Sequence, residues 1–354
     1  MSQSLTPDDP RLSYFNAAGR RADGPGLLLA RMPVQWLARM TEPIANLAEM
    51  AAGVELRLRT DAAAVTLTLT SQTDRPQFTE FVECRVTGLT GGPAVCTESA
   101  LANTGRPERI TLNAFGAIPR RMRMWRILLP YRVKVRLIEI APNAGASVEP
   151  TQAEPPARWR LLCYGDSITQ GADASRPSRS YVFALSERLE VPAINMGFSG
   201  QGFAGPQETA YFLSRDDWNA MTIAIGTNSA GQAKAPSATL AQDYARMLRT
   251  IRATRPDAPI VCLSPLWRGL DQDGQLNALG EPMRAYRDAV ERTVTDAIAA
   301  GDDRLHLVRG LEVIGPATGQ AMMDDRLHPN DAGMARMAEC LAPVLRAAMG
   351  MASP

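Results

Sequence analysis

The hydrophobic pattern of this chain changes period once, near residue 156, and that change decides most of what it can fold into. Between residues 54 and 140 apolar side chains return at every second position. Val54, Leu56 and Leu58 alternate with Glu55, Arg57 and Arg59; Val65, Leu67 and Leu69 alternate with threonines; Val133, Val135 and Leu137 alternate with Lys134 and Arg136. A period of two puts one face of a strand in a core and the other in water. Phe81 to Val86 is a further short run, and turn clusters at Thr90–Pro93 and Thr104–Pro107 separate the runs, as antiparallel strands packed as a sandwich require. Residues 26–50 leave room for a short helix.

The segment SVEPTQAEPPARW ends this pattern, because its prolines can neither donate ladder hydrogen bonds nor continue a helix. Beyond it, compact apolar runs at Arg160–Tyr164, Ala193–Met196, Met221–Ile225, Ile260–Ser264 and Leu305–Val308 alternate with helical stretches. The clearest helix spans Ser237–Thr254, with Leu240, Tyr244, Met247, Leu248 and Ile251 on one face behind a Ser237 cap. Strand and helix in alternation predict an α/β domain with a parallel sheet covered on both sides, where ligands bind beyond the carboxyl ends of the strands. A chain of 354 residues suits two cores. The expected division is a β-sandwich domain over 1–150 and an α/β domain over 157–354.

Charge narrows the partners. With 38 basic against 37 acidic side chains, nothing favours nucleic acid or an anionic membrane, and a small or neutral ligand is expected. The start of the chain lacks the basic and apolar stretches of a secretory signal, and no run approaches the roughly 18 apolar residues of a membrane span. Cys84, Cys96, Cys163, Cys262 and Cys340 are scattered, without metal-ligand spacing, and read as buried thiols. The expectation is a cytoplasmic protein.

Chemistry-bearing residues gather at the ends of the expected parallel strands. Ser167, within Gly165–Gly171, follows the first strand at a turn into a helix, where backbone N–H groups and the helix dipole face a reacting centre. An ordinary helix-capping serine explains the same letters. A serine hydroxyl needs a base, and imidazole suits that task near neutrality. Only two histidines are present, His306 inside an apolar strand, where a satisfied structural role is expected, and His328 in a polar turn before the last helix. Asp325 stands three residues before His328, close enough for one tight turn to bring its carboxylate to Nδ1, with Asp324 as competitor. Oxyanion donors are offered by Asn195–Gly200 after the second strand and by Gly226–Ser229 after the third. Trp267, after the fourth strand, lines either a substrate subsite or the core. Gly200, Gly202 and Gly205 spell GxGxxG, yet they follow the second strand rather than the first.

Read in order, GDSITQG, NMGFSG, GTN and DxxH resemble the four blocks of the SGNH, or GDSL, hydrolases, over residues 158–348. The resemblance implies a flavodoxin-like three-layer α/β domain preceded by an antiparallel, jelly-roll-like β-sandwich. It makes Ser167 the nucleophile of a serine esterase and an oxyanion donor through its N–H, and Gly200 the second donor, with Gly197 competing for that place. Asn228 becomes the side-chain donor, His328 the base and Asp325 its orienting carboxylate, with no cofactor and no metal. The phrase SITQGADASRPSRSY followed by NMGFSG is similar to bacterial members acting on acylated carbohydrates. Hydrolysis of short acyl esters, acetyl above all, on an oligosaccharide or another small molecule is therefore expected; assembly into a homo-oligomer is left open. The alternatives are a lipase, lysophospholipase or thioesterase working on longer chains, and a carbohydrate-binding protein without turnover.

Overall fold

A computed structural model describes residues 4–72, 79–86, 95–114, 120–151, 157–272 and 274–352. The chain forms two compact units, one from Met1–Ala38, Ala45–Pro155 and Arg176–Ser178, the other from Arg39–Ile44, Pro156–Ser175 and Arg179–Pro354. The turn cluster Thr90–Pro93 and residues 152–156 of the proline-rich segment lie outside the described residues.

The first unit is built on two antiparallel sheets, one of six strands and one of five. Its core is supplied by the alternating positions. Val54, Leu56, Leu58, Val65, Leu67, Leu69, Val82, Cys84, Val86, Val133, Val135 and Leu137 belong to one buried cluster. The opposite face of the strand Glu55–Thr60 is not simply wetted: Glu55 is buried, and Arg57 and Arg126 converge on its carboxylate at 2.8 and 2.6 Å. Opposite charge at those distances offsets the cost of burying a carboxylate. Thr104–Pro107 turns between the strands Val95–Leu101 and Glu108–Asn113. Residues 26–50 hold the strand Gly26–Ala30 and two helices, Val34–Leu37 and Glu42–Ala48.

The second unit carries a five-stranded parallel sheet. Its strands are Leu161–Gly165, Ala193–Gly197, Ala220–Ala224, Ile260–Leu263 and Leu305–Val308, each within a residue or two of the apolar run that foretold it. Numbered along this unit they lie in the order 2-1-3-4-5, the flavodoxin-like arrangement. After the second strand the chain crosses back over the first, so a crevice opens at the carboxyl ends of the first and third strands. The helices Tyr181–Leu189 and Asp331–Ala348 pack together, and their buried residues, including Leu185, Leu189, Met337 and Leu341, join the cluster that contains Leu161 and Val261.

The helix Ser237–Thr254 buries the five expected side chains, but its cap is corrected. Pro236 occupies the N-cap position, while Ser237 begins the helix and donates from both its N–H and its hydroxyl to Glu281, each at 2.8 Å. Among the described residues no helix is long and apolar enough to cross a membrane.

Candidate active site

The first parallel strand ends at Gly165, where a Cβ would sit 2.0 Å from Thr169 Oγ1; only glycine lets the chain turn this tightly into the helix Ser167–Gln170. Asp166 caps that helix by accepting from the Ile168 N–H at 2.9 Å. Ser167 is thereby held in the first helical turn, 4% exposed, with Oγ 2.9 Å from His328 Nε2. Burial pushes the Asp166 carboxyl up to about 6, against the opposing pull of the Ile168 N–H, His328 and Arg268.

His328 reaches Ser167 from a turn wrapped around one carboxylate. Asp325 accepts the Leu327 N–H at 2.8 Å and the His328 N–H at 2.7 Å through Oδ1, and lies 2.6 Å from His328 Nδ1 through Oδ2. Burial alone would raise the Asp325 carboxyl, but these bonds and the imidazole together hold it below the usual carboxylate range. An ionised carboxylate can only accept, so Nδ1 carries the ring proton and the Nε2 lone pair faces the serine hydroxyl. Asp324, the competitor, instead accepts from Asn330 Nδ2 at 3.0 Å. Asn330 also caps the helix Asp331–Ala348 through the Gly333 N–H, anchoring the turn at its far end.

The glycine turn after the second strand separates its two candidate donors. The Gly197 N–H is spent on Asn195 Oδ1 at 2.9 Å, and a Cβ there would lie 2.0 Å from the Gln170 nitrogen, so this glycine serves close packing. Gly200 takes a left-handed φ of 72°, its carbonyl accepts from Gln232 Nε2 at 2.7 Å, and its N–H donates to no described residue. The Ser167 N–H is likewise uncommitted among the described residues. Asn228, in the helix Thr227–Gln232 after the third strand, donates one amide hydrogen to Gln201 O at 2.8 Å, which ties it to the Gly200 turn and leaves its second hydrogen unspent.

Other expectations meet different ends. Trp267 is 2% exposed and packs on Gly319, where a Cβ would come within 2.1 Å of its ring; it is core. His306 is half-buried in its strand, and burial lowers its pKa, but its Nε2 has no partner among the described residues, so the expected satisfied histidine is not what is found. Two charged groups at the site escaped the sequence reading. Asp173 brings a carboxylate oxygen within 4.8 Å of ligand atoms on Asp325 and His328, the one such cluster among the described residues, though Asp325 and His328 already bind each other. Arg268 follows the fourth strand and donates from Nη1 to Thr227 O at 2.7 Å. The signal that would have found it is its position, a polar side chain just beyond a parallel strand.

Residues 163–336 match the model of the GDSL-like lipase/acylhydrolase family. No match was found among curated proteins. Among solved structures the chain is similar to a salicylyl-acyltransferase from a tetracycline biosynthetic pathway (21% identity, 99% of this chain and 98% of the other, TM-score 0.82). It is also similar to a putative GDSL-like lipase from Bacteroides ovatus (19% identity, 99% of both chains, TM-score 0.74). A third likeness is to a family two carbohydrate esterase from Clostridium thermocellum (16% identity, 97% of this chain and 100% of the other, TM-score 0.67). At these identities the likenesses speak for a shared two-part fold, in which the parallel sheet and its strand-end residues are the portion matched by the family model. Residues 163–336 therefore form a GDSL-like lipase/acylhydrolase domain, the SGNH type of carboxylic ester hydrolase.

Proposed function

We propose that the protein is a serine esterase that removes short acyl groups, acetyl above all, from a carbohydrate through an acyl-enzyme. The observation that carries the reading is the unbroken line of contacts Ser167 Oγ, His328 Nε2, His328 Nδ1, Asp325 Oδ2, at 2.9 and 2.6 Å. In this mechanism Nε2 takes the hydroxyl proton as Oγ attacks the ester carbonyl, and Asp325 stabilises the imidazolium that forms. The oxyanion is met by the N–H groups of Ser167 and Gly200 and by the free amide hydrogen of Asn228. His328 returns its proton to the departing alcohol, then draws one from the water that attacks the acyl-enzyme and passes it to Ser167 Oγ as the acyl–Oγ bond breaks, which releases the carboxylic acid and restores the serine. The carbohydrate part rests on the family phrase around Ser167 and Asn195–Gly200 and on the likeness to the carbohydrate esterase fold.

In purified protein, Ser167→Ala is expected to lower hydrolysis of acetylated oligosaccharides, followed as released acetate, by roughly 10⁴-fold or more. Full activity in that variant ends the proposal. A rate maximum on acyl chains longer than about eight carbons, each buried CH₂ being worth about 0.8 kcal/mol, favours the lipase or thioesterase alternative.

A further inference from the structure

We infer that Arg268 is an anion-recognition residue beside the reacting centre, and that the preferred substrate carries a carboxylate which Arg268 engages. This rests on the proposed esterase reading and names the substrate class of that same site.

A guanidinium is always charged, and sinking one into protein without a counter-charge is costly. A carboxylate meets that cost at Arg287, 5% exposed, with Asp271 at 2.9 Å, and at Arg126, with Glu55 at 2.6 Å. Arg268 has no such partner among the described residues, a state it shares with Arg123 in the first unit, but it alone of the two stands at a parallel-strand end. It is half-buried, and among the described residues no carboxylate lies within ion-pair distance of it. Its Nη1 spends one hydrogen on Thr227 O, and its Nε is shielded from solvent with no acceptor among the described residues. Nη2 donates to no described residue and, unlike Nε, is not sealed from solvent.

The setting is made for this side chain. A Cβ at Gly231 would lie 2.6 Å from Nη1 and 2.9 Å from Nη2, so glycine there opens the face of the helix against which the guanidinium lies. That helix carries Asn228. The nearby acids are all committed: Asp271 to Arg287 and to the Arg268 backbone N–H, Asp325 to His328, and Asp166 to the Ile168 N–H. Arg268 lies between the helix of Asn228 and the histidine turn: its Nη1 donates to Thr227 O, and the N–H of the next residue, Gly269, donates to Arg326 O at 2.7 Å. A cation held there, with the neighbouring carboxylates engaged by other groups, is complementary to a carboxylate that arrives with the substrate and binds a planar group through two N–H donors.

The carboxylate has two sources, a uronate on the alcohol side or a dicarboxylic half-ester on the acyl side, and matched pairs distinguish them. For the alcohol side, kcat/KM is compared between an O-acetylated methyl galacturonoside and the corresponding O-acetylated galactoside. For the acyl side, p-nitrophenyl succinate is compared with p-nitrophenyl butyrate. A charge-assisted hydrogen bond predicts a preference of roughly tenfold to a hundredfold for the acid in one pair. Arg268→Gln should bring that ratio towards one, Arg268→Lys should keep part of it, and Gly231→Ala, which crowds the guanidinium without removing it, should lower it as well. Free galacturonate or succinate should inhibit hydrolysis of p-nitrophenyl acetate competitively in the parent protein and far less in Arg268→Gln. Hydrolysis of the neutral esters with no acid preference in either pair overturns the inference and leaves the esterase reading standing. A ratio unchanged in Arg268→Gln while all rates fall together also overturns it, making Arg268 a purely structural support. Failure to hydrolyse any of the four esters removes the esterase reading and this inference with it.

Discussion

Asp166 sits beside the nucleophile with its carboxyl pushed up by burial to about 6 from an ordinary 3.8. A carboxyl whose folded pKa exceeds its unfolded one favours the folded state only while protonated. The contribution of Asp166 to stability is therefore highest below about pH 4, falls as pH rises towards 6, and is flat above, the loss being on the order of 3 kcal/mol. Asparagine keeps the capping oxygen and removes the charge. Asp166→Asn is thus expected to melt above the parent at pH 8 and level with it at pH 4, as followed by thermal unfolding; equal gains at both pH values would show that the charge is not the cause. The two glycines of the second strand end separate at the same scale. Gly197→Ala should prevent correct folding, because the new Cβ meets backbone at 2.0 Å, whereas Gly200→Ala meets only Gln232 Nε2 at 3.6 Å. Its penalty is the left-handed backbone, about 1–2 kcal/mol. Soluble expression and urea unfolding would order the two, and the reverse order would assign the packing role to Gly200. Ser167, His328 and Asp325 were legible because each stands where a period breaks; Arg268 was not, because an arginine after a tryptophan reads as a solvated charge until its missing partner is seen.

Among the elements, the histidine turn depends on a helix it precedes. Asn330 accepts the Gly333 N–H at 3.2 Å and donates to Ala321 O and Asp324 Oδ1 at 3.1 and 3.0 Å, so one side chain both starts the last helix and fixes the turn bearing His328. Asn330→Ala should cost about 0.5–2 kcal/mol as a lost cap. It should also reduce kcat more than KM, since the imidazole, not substrate binding, loses its anchor. Asn330→Asp, which keeps the cap and loses the donor, separates the two effects; a lower melting temperature with unchanged kcat in both variants would detach the turn from the cap. The parallel strands could be read to within a residue or two because strands buried on both faces are continuous apolar runs. Edge strands of the sandwich could not. Gly19–Asp23, with the sequence GRRAD, is largely exposed and pairs with one neighbour among the described residues, so no alternation marks it.

Across the whole molecule, the single change of period became two cores of different construction, one between antiparallel sheets and one around a parallel sheet. The cysteines report on both. Cys84 lies in the sandwich core, Cys163 and Cys262 on the first and fourth parallel strands with the third strand between them, and Cys340 half-buried on the last helix. Burial pushes the Cys163 and Cys262 thiols up to about 12 and raises that of Cys340. Because the thiolate is the reactive form, the buried Cys163 and Cys262 can be alkylated only when the structure around them opens. In native protein at pH 8, peptide mapping after brief iodoacetamide treatment should find Cys84, Cys163 and Cys262 unmodified, with Cys340 labelled ahead of them. As urea is raised, Cys163 and Cys262 should become reactive at one concentration, because both are buried in the same sheet, while Cys84 follows the opening of the sandwich. If Cys163 is modified at native concentrations of denaturant while Cys262 stays protected, the first strand is loosely held. A serine carried at its end could not then keep its hydroxyl in register with His328.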